Sequence, residues 1–137
     1  MFPLQGGTPS APTYVDDVFS AYTYTGNGST RTITNGIDLS DKGGLVWMKN
    51  RNKVNAHALY DTARGATFDL VVNTTAGETA QPTGLTAFNS NGFALGTLSK
   101  VNNSSDAYVG WTFRKAAKFF DIVTYTGNGN AATRDIT

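Results

Sequence analysis

Phe19-Ser20-Ala21-Tyr22-Thr23-Tyr24-Thr25, then Gly26-Asn27-Gly28, then Ser29-Thr30-Arg31-Thr32-Ile33-Thr34 is the stretch whose reading decides the fold. Aromatic and β-branched side chains fit a pleated strand better than a helix, and Gly-Asn-Gly supplies positive φ for a tight reversal. The stretch therefore reads as strand, turn, strand, with 29–34 the expected hairpin partner of Phe19–Thr25. The same grammar continues outward. Asn35-Gly36 marks a further turn, Leu45-Val46-Trp47-Met48 a buried strand, and 50–55 a polar loop rich in Asn. Strands are expected at 56–61, 67–73, 83–88, 92–95 and 107–114, with a surface crossing at 74–82 where small residues precede Pro82. Only 114–119 has the pattern of a helical turn. Short strands with turn signals every 8 to 12 residues, rather than strands alternating with helices, point to an all-β, two-sheet antiparallel sandwich. Its expected core is Trp47, Leu59, Leu70, Val72, Leu85, Phe93, Val109, Trp111 and Phe113.

The opening motif occurs twice. Tyr24-Thr25-Gly26-Asn27-Gly28 returns as Tyr125-Thr126-Gly127-Asn128-Gly129, Phe19 is answered by Phe120, and Arg31-Thr32-Ile33-Thr34 by Arg134-Asp135-Ile136-Thr137. Flanking agreement turns a chance pentapeptide into an internal repeat. The expected organisation is an extended N-terminal arm at 1–17, which holds three of the four prolines, then a sandwich repeat unit at 18–118. The start of a second, truncated unit follows at 119–137, the chain stopping inside a repeat that a longer protein would continue. An isolated hairpin is marginal in water, so the last segment needs a sheet to join: in a longer tandem-repeat protein, the favoured reading, or in the first unit or a neighbouring subunit.

Composition excludes whole classes of function. Of 137 residues, 39% are hydrophobic and 15% charged, and 11 Lys plus Arg against 10 Asp plus Glu leave a net charge of +1. That balance offers no broad field for phosphate backbones or anionic lipid, so no nucleic acid and no membrane insertion are expected. Cysteine is absent, which removes disulfides and thiolate metal sites. The first residues lack a basic and an apolar signal region, and the longest apolar runs resemble Leu70-Val71-Val72, far short of a span.

Catalytic motifs are missing too. The single histidine, His57, has no second His or Cys to share a metal and reads as a hydrogen-bonded or solvent-facing strand residue. No Gly-x-Ser-x-Gly elbow supports a triad with Asp61, and Asp38, Asp41, Asp61, Asp69, Glu78 and Asp106 fall mostly at turns, where Asp is common anyway. The Gly-x-Gly turns precede strands rather than helices, so they are not phosphate loops. Arg64 after Asp61 suggests a structural ion pair, and the Asp and Asn turn oxygens lack the spacing of known calcium loops. Trp47 and Trp111 read as core residues, with sugar stacking the minority reading. No catalytic residue, cofactor or metal ligand is assigned, and the chain is expected not to be an enzyme.

An ordered series of segments carries a resemblance: Gly44-Leu45-Val46-Trp47-Met48-Lys49-Asn50-Arg51, His57-Ala58-Leu59-Tyr60-Asp61-Thr62-Ala63-Arg64-Gly65-Ala66, Asn73-Thr74-Thr75-Ala76-Gly77-Glu78, then Gly84-Leu85-Thr86-Ala87-Phe88, Gly92-Phe93-Ala94-Leu95-Gly96 and Tyr108-Val109-Gly110-Trp111-Thr112-Phe113. The series resembles an uncharacterised tandem-repeat domain of virion proteins from marine bacteriophages, including cyanophages. The resemblance implies a sandwich like the concanavalin-like lectins and a non-enzymatic role in the virion, as a tail fibre or tail-associated module. Alternatives are a lectin-like module for host glycans and a capsid decoration or head fibre protein. Other virion proteins are the expected partners, and a homo-oligomer, a trimer first, the expected state. Within this frame Phe2, Leu4, Tyr14 and Val15 of the arm are expected to attach the chain to the particle, because the arm has no core in which to bury them. Asn50, Arg51, Asn52, Asn55, Asn102, Asn103 and Asp106 are the candidate glycan-contact residues.

Overall fold

A computed structural model of the chain describes residues 11–129 and 134–136. After a one-turn helix α1 (Val15–Val18) come strands β1 (Phe19–Thr25), β2 (Arg31–Thr34), β3 (Gly44–Asn50) and β4 (Ala58–Asp61). Next are the two-residue strands β5 (Phe68–Asp69) and β6 (Thr79–Ala80), then β7 (Leu85–Asn89) and β8 (Gly92–Leu95). A second single turn, α2 (Ser99–Asn102), precedes the final strand β9 (Ala107–Arg114). β1, β9, β3 and β4 form an antiparallel four-stranded sheet in that order, β2, β8 and β7 a three-stranded one, and β5 and β6 a short ribbon. The expected antiparallel two-sheet sandwich is the fold.

Alternation on β3 and β9 builds the core. Val46 and Met48 on β3 point inward with Tyr108, Gly110 and Thr112 on β9, and Ala58 and Tyr60 on β4. Ile33, Leu85, Phe93 and Leu95 meet them from the opposite sheet, and Ile37, Leu39 and Val101 close the ends of the same cluster. Each of the large side chains here contributes about 1.5–3 kcal/mol by leaving water.

This is the other face of the sheet from the one expected. Leu85 and Phe93 belong to the core, but Trp47, Leu59, Leu70, Val109, Trp111 and Phe113 are only half-buried and Val72 is 41% exposed. In β3 and β9 both faces are apolar, so a period of two is satisfied by either register, and the large tryptophans drew the assignment to the outer one. Two further corrections concern pairing. β1 and β2 are not a hairpin: β1 pairs with β9 (Phe19↔Phe113 to Thr25↔Ala107) and β2 with β8 (Arg31↔Leu95 to Thr34↔Gly92). The Gly-Asn-Gly turn passes the chain from one sheet to the other. The 67–73 and 74–82 stretches hold only β5 and β6; one-turn helices lie at α1 and α2, and the expected turn at 114–119 is a single hydrogen-bonded turn in which Phe119 N and Phe120 N both donate to Ala116 O at 3.1 Å.

The arm's last residues, 15–17, are helical, with the Tyr14 amide donating to the Asp17 carboxylate at 3.1 Å. Phe2 and Leu4 lie outside the described residues. Residues 121–128 of the second copy carry no strand.

Three tyrosines are inside the core. Desolvation is the first cause that pushes the hydroxyls of Tyr24, Tyr60 and Tyr108 above the ordinary tyrosine range. A raised folded value means stability is complete below the unfolded value of about 10 and is lost as pH rises beyond it. The urea midpoint should hold steady to about pH 9.5 and fall above pH 10. Tyr60 Oη has no hydrogen-bond partner among the described residues, so Tyr60→Phe should be neutral or stabilising at pH 7 and should flatten part of that alkaline decline. The choice of core face is tested by the same method: Phe93→Ala should lose about 3–5 kcal/mol, whereas Val72→Ala should stay within about 0.5 kcal/mol.

Candidate functional site

The two loops singled out as glycan contacts meet at one end of the sandwich. Arg51 N donates to Ala107 O at 2.7 Å and Ala107 N to Asn52 Oδ1 at 3.1 Å, which extends the β3–β9 ladder into both loops. Below them Asp106 Oδ2 accepts from the Asn50 amide at 2.9 Å and from the Asn103 amide at 3.0 Å. Asn50 Oδ1 in turn accepts the backbone N–H groups of Asn52 and Lys53, so one side chain shapes its own loop and ties it to the next.

Asn102 does more. Its Nδ2 lies 3.1 Å from Asn27 Oδ1, 2.7 Å from Ser29 O and 2.8 Å from Gly96 O, and its Oδ1 accepts from Asn27 N at 3.1 Å. The turn it grips needs its glycines: a Cβ at Gly26 would stand 2.1 Å from Asn103 O, and Gly28 has φ +68°. The carbonyls of α2 are taken by tyrosines. Tyr24 Oη donates to Val101 O at 2.8 Å and Tyr108 Oη to Ser99 O at 2.7 Å, with the two rings stacked at 5.2 Å.

Of the seven loop residues, then, Asn50, Asn102 and Asp106 are buried and engaged with the protein itself. Asn102 and Asp106 sit where the chain passes from β8 to β9 in the other sheet and Asn50 ends β3, and a buried amide or carboxylate must find partners there. Arg51, Asn52 and Asn103 remain exposed at the loop tips and Asn55 is half-buried.

Charged residues elsewhere are also tied down. Arg64 reaches Asp61 at 2.6 Å, Glu78 at 3.1 Å, and the carbonyls of Phe68 and Leu59, the structural ion pair the sequence suggested with three more partners. Buried Asp69 pairs with Lys100 and accepts from Leu59 N. Among the described residues no three acidic or histidine side chains gather as a metal site would require.

The feature sequence reasoning missed is on the outer face of the larger sheet. Registers place Ala21, Trp111, Trp47 and Leu59 in one row across four strands, and Phe19, Phe113 and Leu45 in the next. Trp47 and Trp111 rings lie 5.5 Å apart, and Trp47 Nε1 donates to His57 Nδ1 at 2.8 Å. The signal was present: Lys49 shares the Trp47 face of β3, and a lysine marks the side that reaches water.

Fold and site together define an antiparallel β-sandwich whose loop polar groups are largely spent on one another and whose larger sheet has an aromatic outer face. The chain belongs to the domain of unknown function family DUF7483, whose family model matches residues 15–136. That match runs through the second copy of the repeated motif as well as the sandwich. No curated protein and no solved structure matches the chain.

Asn102→Ala should lose roughly 2–4 kcal/mol in chemical denaturation, because it removes four hydrogen bonds that tie the β1–β2 turn to the end of β8 and leaves the buried Gly96 carbonyl without its amide partner. Asn103→Ala, with one side-chain bond on an exposed loop, should lose about 1 kcal/mol or less.

Proposed function

We propose that the chain is a non-enzymatic structural module of a phage virion, of the tail fibre or tail-associated type, joined to the particle through its N-terminal arm. The observation that carries this reading is the internal satisfaction of the loops: the polar groups best placed for chemistry are engaged in holding the sandwich, which suits work by shape, position and multivalency. Arm residues Tyr14 and Val15, 65% and 62% exposed, are apolar groups that the sandwich leaves uncovered, as an attachment peptide requires. The ordered resemblance to marine phage virion repeats supplies the context, and a trimer is the assembly proposed first.

A second reading, a lectin-like module for host glycans, is favoured by one specific observation: Arg51, Asn52 and Asn103 are exposed on two loops that the bonds of Arg51 and Asn52 to Ala107 tie together. Localisation by immunogold labelling or cryo-microscopy should find the chain on the tail. A position on the head would replace this reading with a decoration or head fibre role. Deleting residues 1–17 should preserve the folded sandwich and abolish incorporation into particles; normal incorporation would refute arm attachment. Binding on a glycan array that is lost in Asn52→Ala or Asn103→Ala would favour the second reading.

A further inference from the structure

β1 occupies a slot on the free edge of β9. Its backbone pairs from Phe19↔Phe113 to Thr25↔Ala107, its Phe19 ring meets Phe113 at 5.0 Å, Tyr24 stacks on Tyr108, and its turn is held by Asn102 and Asp106. The chain contains a second segment with the same key: Phe120, Tyr125, Thr126 and Gly127-Asn128-Gly129 stand where β1 and its turn have Phe19, Tyr24, Thr25 and Gly26-Asn27-Gly28.

The duplicate is already shaped like the original. Arg31 lies over the Tyr24 ring at 5.6 Å and donates to Thr25 O; Arg134 lies over the Tyr125 ring at 5.8 Å and donates to Thr126 O. Gly28 and Gly129 share φ of +68° and +69°. What differs is the surroundings, since Tyr24 is 8% exposed and Tyr125 63%. Among the described residues, 121–128 belong to no strand, although the turn geometry of the original is in place.

Connection length says which slot it fits. Phe120 follows β9 closely and already returns antiparallel on Ala116, with Ala116 N donating to Phe120 O at 3.0 Å and Phe120 N to Ala116 O at 3.1 Å; widening that return so that residues 114–119 form the loop sets Phe120 opposite Phe113, its counterpart's own partner. The Phe113 and Phe120 rings are already 5.4 Å apart, so Phe113 touches the first residue of both copies at once. Both segments also enter at one corner, where Thr13, Val15 and Val18 face Ala116, Ala117 and Phe119 around a cavity of about 320 Å³.

We propose that the β1 slot on β9 is a binding site for two segments of this one chain, Phe19–Thr25 and residues 120–126, and that the second enters it in cis as a hairpin from β9. In that arrangement Ile122 replaces Ala21 opposite Trp111, and the Tyr125 hydroxyl takes the place of Tyr24 at Val101 O. Short tethers give both segments a high effective concentration at the slot, so exchange trades like contacts for like. Entry of the duplicate releases β1 together with α1 and the arm. The proposal is independent of the virion reading.

A double-mutant cycle in the full chain tests it. If Tyr125 stands in for Tyr24, Tyr125→Ala leaves Tm unchanged and Tyr24→Ala lowers it only a few degrees. The double variant then falls by well over the sum, by about 10 °C or more. Additive losses would overturn the proposal. A second measurement exploits the absence of cysteine: Thr23→Cys with Val109→Cys fixes the yield of the resident pairing, and Thr124→Cys with Val109→Cys reports the exchanged one. Under oxidation the second pair should close within monomers. A disulfide-linked dimer instead, or no crosslink where the first pair closes, would refute entry in cis.

Discussion

The Asn102 side-chain amide is the joint on which the sandwich depends. It binds the turn after β1, the start of the run into β2 and the end of β8 in one hydrogen-bonded group, and those three belong to both sheets. Buried without partners, such an amide would be costly; with each oxygen and nitrogen engaged it specifies a single arrangement of the loops. Tyr24 and Tyr108 extend the joint by taking the carbonyls of α2, whose single turn could not hold itself. Sheet pairing, loop shape and the seating of β1 therefore answer to one small polar group inside an apolar protein.

Ion pairs do comparable work where strands are too short to help. Between β4 and β7 the ladder is reduced to β5 and β6, and the Arg64 guanidinium gathers Asp61, Glu78 and two carbonyls across that gap. Arg suits the task because its planar fork serves several acceptors at once. Asp69 and Lys100 tie the same region to α2.

Strand positions were legible in the sequence because Gly, Asn and Asp punctuate β-branched and aromatic runs: 92–95 and 107–114 agree with β8 and β9 to the residue. Facing was not legible, since Leu45 and Trp47 are as apolar as Val46 and Met48 and only Lys49 breaks the tie. Partnership was not legible either. A Gly-Asn-Gly turn looks the same whether it closes a hairpin or crosses between sheets, and the deciding contacts come from Asn102 and Asp106, far along the chain. The candidate loops were found, and their proximity with them, but an Asn that binds a ligand and an Asn that binds its own backbone have the same letter.

The pairing of β1 with β9 joins the first strand of the sheet to its last. A chain emerging from the ribosome makes β1 early and its resident partner only when nearly everything else exists, so this contact has the largest loop to close and the slowest local search. Trp47, Met48 and the rest of β3 can meet β4 long before. The order of assembly is thus opposite to the order of synthesis at this edge: the oldest strand is seated last.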